Sequence, residues 1–546
     1  MGVWSPDPDR PSGQPSVPAL LRLVPELLAD DATEVARTLR DRYGYVVTIP
    51  PIHPALDADT HLLTHPDDLQ IVLQTEPTKF GTLDVPATRD FQRVINNSIV
   101  SLSPDSEQGS WVERLRQLYP EFAAAAVRQQ VPILAATTRA SLADLTGEAA
   151  RGTDGVGPHR PEPARVYEPG VDGVRLLPAM RRLTLRLLGV SLFSTDIRAH
   201  ETAIIEAVDA LRAEFKRRQF RLVRSRLRRR IPDEVGLPGF IQNSIGTEVS
   251  VDLGGRRDRR TEHAIQALQD VADDIVRRRE ETPLVFDDGL TTWLLRPDPV
   301  TGETVSPEVL REEVIGLLIA GHATMSAALT WTFYLLASRP GVQQQIHEEV
   351  RETDLFPSLE QLHDADTALP IGQPHYGIDG GAVVDALEYT HRVWQEALRL
   401  YPPLPMFGRS VKEPVVVNGA SLEPGDNILI SPYVTHRDRQ FWEDPDRFDP
   451  TRFEPDRLDE RPEFAYFPFS GGPHSCLGEA IATTEAITVL GTVMATHRVE
   501  FADDTGDEIG PHASDDDYVP TPVGTDSAIN LQPDRDIHVR FIPRAG

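Results

Sequence analysis

Along most of the chain, apolar residues recur at the three- and four-residue spacing of a helix with one buried face. The pattern runs from Val17 to Tyr43 and gives way after Gly44 to two short extended runs, Tyr45 to Ile49 and His61 to Thr64. His65-Pro66-Asp67-Asp68 then opens a helix through Gln74, with proline and acids where a helix start favours them. From Trp111 onward helices dominate: Trp111 to Leu118, Val131 to Leu145, Leu177 to Leu188, Ile197 to Arg217, Arg260 to Arg279, Pro307 to Ser338, Val342 to Thr353, Val383 to Arg399 and Ala480 to Ala495. The fold class expected is mainly α with small β-sheets, built around one long central helix.

That central helix holds an uncharged stretch, Val314 to Ala337 if His322 is neutral, long enough to cross a bilayer. Gly316, Gly321, His322, Thr324, Ser326 and Thr330 interrupt it, Glu312 and Glu313 precede it, and no second span accompanies it. It is therefore read as a helix buried on every side in a large core, with no transmembrane segment. Three stretches rich in Gly, Pro and charge, at 147–172, 356–381 and 501–524, are read as surface insertions. They sit in a single large domain over 35–543 that follows an N-terminal extension at 1–34.

Composition narrows the function. The 546 residues include 84 Asp and Glu against 55 Lys and Arg, a net charge of −29 that repels phosphate and makes nucleic acid a poor partner. Lys79, Lys216 and Lys412 are the only lysines, an arginine bias like that of a salt-adapted microbe or a GC-rich genome. The one basic run, Lys216 to Arg230, has three readings: a solvated helix face, a docking patch for an acidic redox protein, or a membrane-surface helix. The first twenty residues contain no apolar stretch, so a soluble, cytoplasmic, monomeric protein is expected. Cys476 is the only cysteine, which excludes an internal disulfide and any Cys-rich zinc or iron–sulfur site.

Cys476 lies in Phe467-Pro468-Phe469-Ser470-Gly471-Gly472-Pro473-His474-Ser475-Cys476-Leu477-Gly478-Glu479-Ala480, a Gly/Pro loop leading into an apolar helix. A lone cysteine is commonly an inert buried side chain. At a helix N-terminus, however, the dipole favours the thiolate, and Gly472 and Gly478 remove side chains on either side of the sulfur, leaving room for a flat group. Two further motifs accompany the loop. Glu396 and Arg399 share one helix face, a spacing that also fits an ordinary ion pair, and Pro445-Asp446-Arg447-Phe448 follows downstream. Ala320-Gly321-His322-Ala323-Thr324 lies within the central helix, where small residues could equally serve packing.

Phe469-x-x-Gly472-x-His474-x-Cys476-x-Gly478 resembles the haem-binding loop of the cytochrome P450 family. The resemblance implies haem b with Cys476 as its axial thiolate and metal ligand, Phe469 beside the sulfur, and His474 toward a haem propionate. It implies a structural triad of Glu396, Arg399 and Arg447, and a second propionate contact from Arg409, for which a plain strand arginine is the other reading. Trp111, Pro120 and Phe122 resemble the helix that crosses the haem edge, although the usual basic residue four after the tryptophan is Leu115 here. Ala320, Gly321, His322 and Thr324 would form the dioxygen site in a locally opened helix, with Ala323 where the family carries an acid. Leu404 would face substrate, together with the 86–100 loop, the 189–245 region and the 524–528 turn. Asp534 to Pro543 looks like the family's last strand, and only three residues follow it, so no fused reductase is expected.

The resemblance extends to soluble prokaryotic and archaeal enzymes, with a haloarchaeal cast from the acidity. The activity it implies is monooxygenation, the hydroxylation or epoxidation of an apolar small molecule such as a fatty acid or terpenoid. Dioxygen and electrons from a ferredoxin and its reductase, or similar donors, would drive it. Ala323 keeps a peroxide-driven peroxygenase or an isomerase open, and a non-catalytic haem carrier or sensor is the reading from another class.

Overall fold

The computed structural model describes residues 12–16, 19–20, 32–50, 58–82, 95, 98–102, 111–146, 173–230, 259–281, 302, 304–353, 380–458, 461–502, 523–527 and 529–544. The insertion at 147–172 and nearly all of those at 356–381 and 501–524 lie outside the described residues, as do most of 17–31, most of the 86–100 loop and all of 231–258. The side chains of the arginine run beyond Arg217 are likewise not described.

The principal helices are α1 (Ala32–Tyr43), α2 (Pro66–Gln70), α3 (Trp111–Phe122), α4 (Val131–Thr146), α5 (Leu176–Ser191), α6 (Glu201–Arg230), α7 (Arg259–Glu281), α8 (Pro307–Ala337), α9 (Pro340–Arg351), α10 (Glu388–Leu400) and α11 (Glu479–Thr496). Helix α8 starts at Ser306, whose hydroxyl accepts from the Val309 amide, with Pro307 in the first turn. It is long and apolar enough to cross a membrane, yet the apolar window is packed inside the protein. The all-round apolar character has a plain cause, because α8 belongs to two cores at once. Trp331, Tyr334 and Leu336 pack with Leu134, Trp394 and Leu490. Val314, Ile315 and Leu318 pack with Leu188, Phe193 and Leu268.

Among the described residues the strands, β1 to β13 in chain order, form four small sheets. Six of them, in the order β1 (Ser12–Gly13), β2 (Val46–Ile49), β3 (Thr60–Leu63), β9 (Asn427–Ile430), β6 (Phe407–Val411) and β4 (Phe80–Thr82), make the largest. A second sheet orders β10 (His497–Phe501), β13 (His538–Pro543) and β5 (Val174–Arg175). Two hairpins complete the set, β7 (Val415–Val417) with β8 (Ala420–Leu422) and β11 (Thr525–Asp526) with β12 (Gln532–Pro533).

Several expected boundaries shift for physical reasons. The helix from Pro66 ends at Gln70 and widens into a π turn over Ile71–Thr75. Helix α3 continues past Leu118 and through Pro120, carrying Phe122 into the second core. The run from Val383 to Arg399 is two helices, broken at the non-helical Leu387 (φ −92°, ψ 52°). The last strand starts at His538 rather than Asp534. Sequence patterning missed β6 to β9, although Asn418-Gly419 between β7 and β8 has both φ angles positive, the hairpin signature of that dipeptide.

Candidate functional site

A short 3₁₀ turn over Gly472–His474 leads to Cys476, and Gly478 is the N-cap of α11. The Cys476 amide donates to the Phe469 carbonyl at 2.8 Å, which closes the loop around the sulfur. Cys476 is exposed by surface area but ringed by protein atoms, as befits a side chain on the wall of an internal cavity. Burial pushes the thiol pKa up, the Gly478 amide pulls the other way, and nearby Glu479 raises it again. Helix position alone therefore does not secure a thiolate; burial outweighs it until a cation arrives.

The two loop glycines have different tasks. A Cβ at Gly472, where φ is +68°, would lie 1.8 Å from the Leu73 carbonyl oxygen, so this glycine admits the backbone of the π turn rather than clearing space beside the sulfur. A Cβ on Gly478 would meet only the Cys476 sulfur at 3.8 Å, and here the open space is real.

The cavity, of about 700 Å³, is lined by Phe469, Cys476 and Gly478 on one side and by Ala320, Gly321 and Thr324 of α8 on the other. Leu404 lines it too and is 39% exposed. Contrary to the expected local opening, α8 is α-helical through this stretch, and the Thr324 hydroxyl donates to the Ala320 carbonyl at 2.6 Å. The Asn530 side-chain amide donates to the Ala323 carbonyl at 2.8 Å. Gly321 lets Leu188 approach: a Cβ there would sit 2.7 Å from its methyl. His322 is buried, with Nδ1 3.1 Å from the Thr184 hydroxyl, and burial together with Arg181 lowers its pKa to about 3. It is a neutral packing residue, not an acid ready to give up an imidazolium proton.

Behind the cavity, Glu396 and Arg399 of α10 are both fully buried. Arg399 donates to both carboxylate oxygens of Glu396 (2.7 and 2.8 Å) and to the carbonyls of His436, Pro445 and Arg447 (2.9, 2.6 and 3.0 Å). The third side chain differs from the expectation: Arg447 is exposed and gives Arg399 its carbonyl, while Arg452 places Nε 3.4 Å from Glu396. Pro450-Thr451-Arg452-Phe453 repeats the Pro-x-Arg-Phe pattern five residues later, and its 3₁₀ turn is the one packed on α10.

The sequence profile of cytochrome P450 matches residues 252–519. That span contains the cysteine loop, α8 and the Glu396 network. Over that span, just under half of its length, the chain matches the cytochrome P450 family. It is 32% identical over 325 residues to cyclooctatin synthase of Streptomyces melanosporofaciens (59% of this chain, 61% of that protein). It is 30% identical over 242 residues to cyclooctat-9-en-7-ol 5-monooxygenase of the same organism (44% and 48%). It is also 33% identical over 243 residues to a self-sufficient cytochrome P450 monooxygenase of Penicillium camemberti (44% and 21%). The chain thus spans about three-fifths or less of the length of these curated relatives.

The cofactor of the cytochrome P450 family is haem b, and the residues present fit it. The sulfur stands on a largely apolar cavity wall, and Gly478 leaves the space beside it clear. Arg409, on β6 between β9 and β4, also lines the cavity. Its guanidinium donates to the Gly408 carbonyl at 3.0 Å, burial lowers its pKa, and among the described residues no carboxylate pairs with it. His474 stacks obliquely against Trp111 with ring centres 4.7 Å apart, and burial, Arg409 and Lys412 keep it neutral. Arg409, His474 and the Trp111 indole are donors suited to haem propionates, whereas Leu115 brings only an apolar side chain.

Two buried carboxyls escaped sequence reading because each looks like an ordinary helix acid. Glu313 on α8 accepts from the Ile99 amide at 3.0 Å and from Ser98 at 3.3 Å, with Arg114 3.6 Å away; burial raises its pKa to about 7. Nearby Gly316 makes room for Ser98. Glu485 on α11 accepts from the Ser191 hydroxyl at 2.9 Å, and burial again raises the pKa to about 7.

Proposed function

We propose that this chain is a haem-thiolate monooxygenase acting on a predominantly apolar small molecule. One observation carries the reading: Cys476 and Thr324, from segments about 150 residues apart, line the same cavity. The balance of the reaction is R–H + O₂ + 2e⁻ + 2H⁺ giving R–OH + H₂O, or an epoxide where the substrate offers a double bond. Haem, when bound, supplies the iron that activates dioxygen, and a thiolate ligand donates electron density toward it.

The remaining work falls to the chain. Cys476 would hold the iron, and Arg409, His474 and Trp111 would hold the propionate edge. The Thr324 hydroxyl is a polar group of α8 on the cavity wall, where His322 also lies. It can exchange its bond to the Ala320 carbonyl for one to a cavity ligand and pass a proton there. With Ala323 apolar and His322 neutral, water is the carrier that reaches Thr324. Leu404, Leu188 and Leu317 exclude bulk water and favour an apolar guest. Electrons come from separate redox proteins of the ferredoxin type, and the acid excess with the arginine bias supports a salt-adapted prokaryotic source.

The carbon monoxide difference spectrum of the reduced protein tests the ligation, with Cys476→His as control. A strongly red-shifted Soret band, lost in the control, is expected; an unshifted band in the unmodified protein removes the thiolate assignment. Thr324→Ala should raise peroxide release relative to product, and unchanged coupling would place the oxygen site elsewhere. The missing acid at Ala323 favours a second reading, a peroxide-driven enzyme, which predicts turnover with peroxide and none with ferredoxin and reductase.

A further inference from the structure

Apart from the groups already given to haem and to α8, polar side chains gather at one stretch of the cavity wall. Arg181 enters from α5, Asp209 and Arg212 from α6, and Gln532 from β12. On α6, Arg212 follows Ile205 and Val208 at helical spacing, so it shares their cavity-facing stripe. A guanidinium on such a face costs desolvation energy that packing alone does not explain.

The geometry points to a purpose. Arg181 Nη2 and Arg212 Nη1 both donate to the Gln532 side-chain oxygen, at 3.2 and 2.6 Å. Arg181 also pairs with Asp209 at 3.0 Å, and Arg212 with Asp526 at 2.9 Å. Asp526 and Gln532 are cross-strand partners in the β11–β12 hairpin, so the hairpin presents both to α6. Two guanidinium groups converge on one neutral amide oxygen, although each forms stronger, charge-assisted bonds to a carboxylate. Gln532 occupies the seat an anion would fill.

We propose that Arg181, Arg212 and Gln532 form a subsite for the carboxylate of an amphipathic substrate whose apolar body lies in the cavity. This rests on the monooxygenase reading and names its substrate class. On binding, the Gln532 side chain turns aside and the substrate carboxylate accepts from both arginines. Arg181 precedes Leu188, the residue against Gly321, by seven positions on one helix, which is about 10 Å at 1.5 Å per residue. The carboxylate is thereby held away from the oxygen site, and oxidation falls on the distant part of the apolar body.

Calorimetric titration of the haem-loaded protein with dodecanoic acid and with dodecan-1-ol tests this. The acid should bind roughly tenfold or more tighter than the alcohol, the scale of a charge-assisted hydrogen bond. Arg212→Gln should erase the difference and leave alcohol binding within about twofold. Gln532→Glu should erase it too, by seating a resident carboxylate between the arginines, and it keeps the proposal testable if Arg212→Gln folds poorly. Equal affinities in the unmodified protein, or an acid preference that survives Gln532→Glu, would overturn the subsite. Because the readout is binding, it stands apart from the carbon monoxide spectrum and from turnover, which report on the monooxygenase reading.

Discussion

Two buried polar regions of this molecule are built on opposite plans. Around Arg399 every guanidinium N–H has an acceptor supplied by the chain, and the Glu396 carboxylate also takes the Asp449 amide at 2.8 Å. In the cavity wall, Cys476, Arg409 and Glu485 are short of compensation, and burial displaces the pKa of each away from its charged form. The first region is complete without a ligand and holds α10 to the segment that follows β9. The second has its chemistry turned toward an occupant. Charge buried with all its partners marks scaffold, and charge buried without them marks a site.

The contrast predicts opposite signs for removing polar groups. Arg399→Ala leaves Glu396 buried with its main partner gone and should cost about 3 to 5 kcal/mol, seen as loss of cooperative unfolding and of haem loading. A well-folded, loaded variant would break the comparison. Glu485→Gln should do the reverse at high pH. The folded carboxyl titrates near 7, above an unfolded glutamate, so its contribution is fully present below about pH 4 and is lost as pH rises through 7. The variant should gain about 3 kcal/mol at pH 8 relative to its effect at pH 4, read from thermal unfolding midpoints. A larger gain at pH 4 would refute the assignment.

Smaller effects sharpen the picture. Arg452→Ala should cost about 1 to 3 kcal/mol in chemical denaturation, whereas Arg447→Ala should stay within about 0.5 kcal/mol because its side chain is exposed and its carbonyl is kept. Equal costs would return Arg447 to the network. Cys476→Ala should leave the stability of the haem-free protein within about 0.5 kcal/mol, while thiolate ligation disappears from the spectrum.

The same contrast decides what could be read from sequence. The cysteine loop and α8 were legible because their signals are contiguous: a Gly/Pro loop around one cysteine, and a long uncharged stretch whose polar interruptions favour a buried central helix over a membrane span. The Glu396 network was legible to its first two members only, since Pro445-Asp446-Arg447-Phe448 and Pro450-Thr451-Arg452-Phe453 share one pattern and only packing on α10 chooses between them. Gly472 was given the wrong task because its neighbour, Leu73, lies some four hundred residues away. The arginine pair on Gln532 was invisible for the same reason, with more than three hundred residues separating either arginine from the amide. Glu313 and Glu485 looked like ordinary helix acids; burial, not residue type, sets them apart.

The contact of Gly472 with the Leu73 carbonyl also bears on the order of assembly. The π turn at Ile71–Thr75 emerges some four hundred residues before the loop that covers it. Closing so long a span carries a loop entropy that only a largely formed core can offset. During synthesis, the early turn therefore waits uncovered until the cysteine loop has been made. The seat for the metal is finished when these two distant segments meet, so a chain interrupted before Gly472 leaves both the turn and the metal site incomplete.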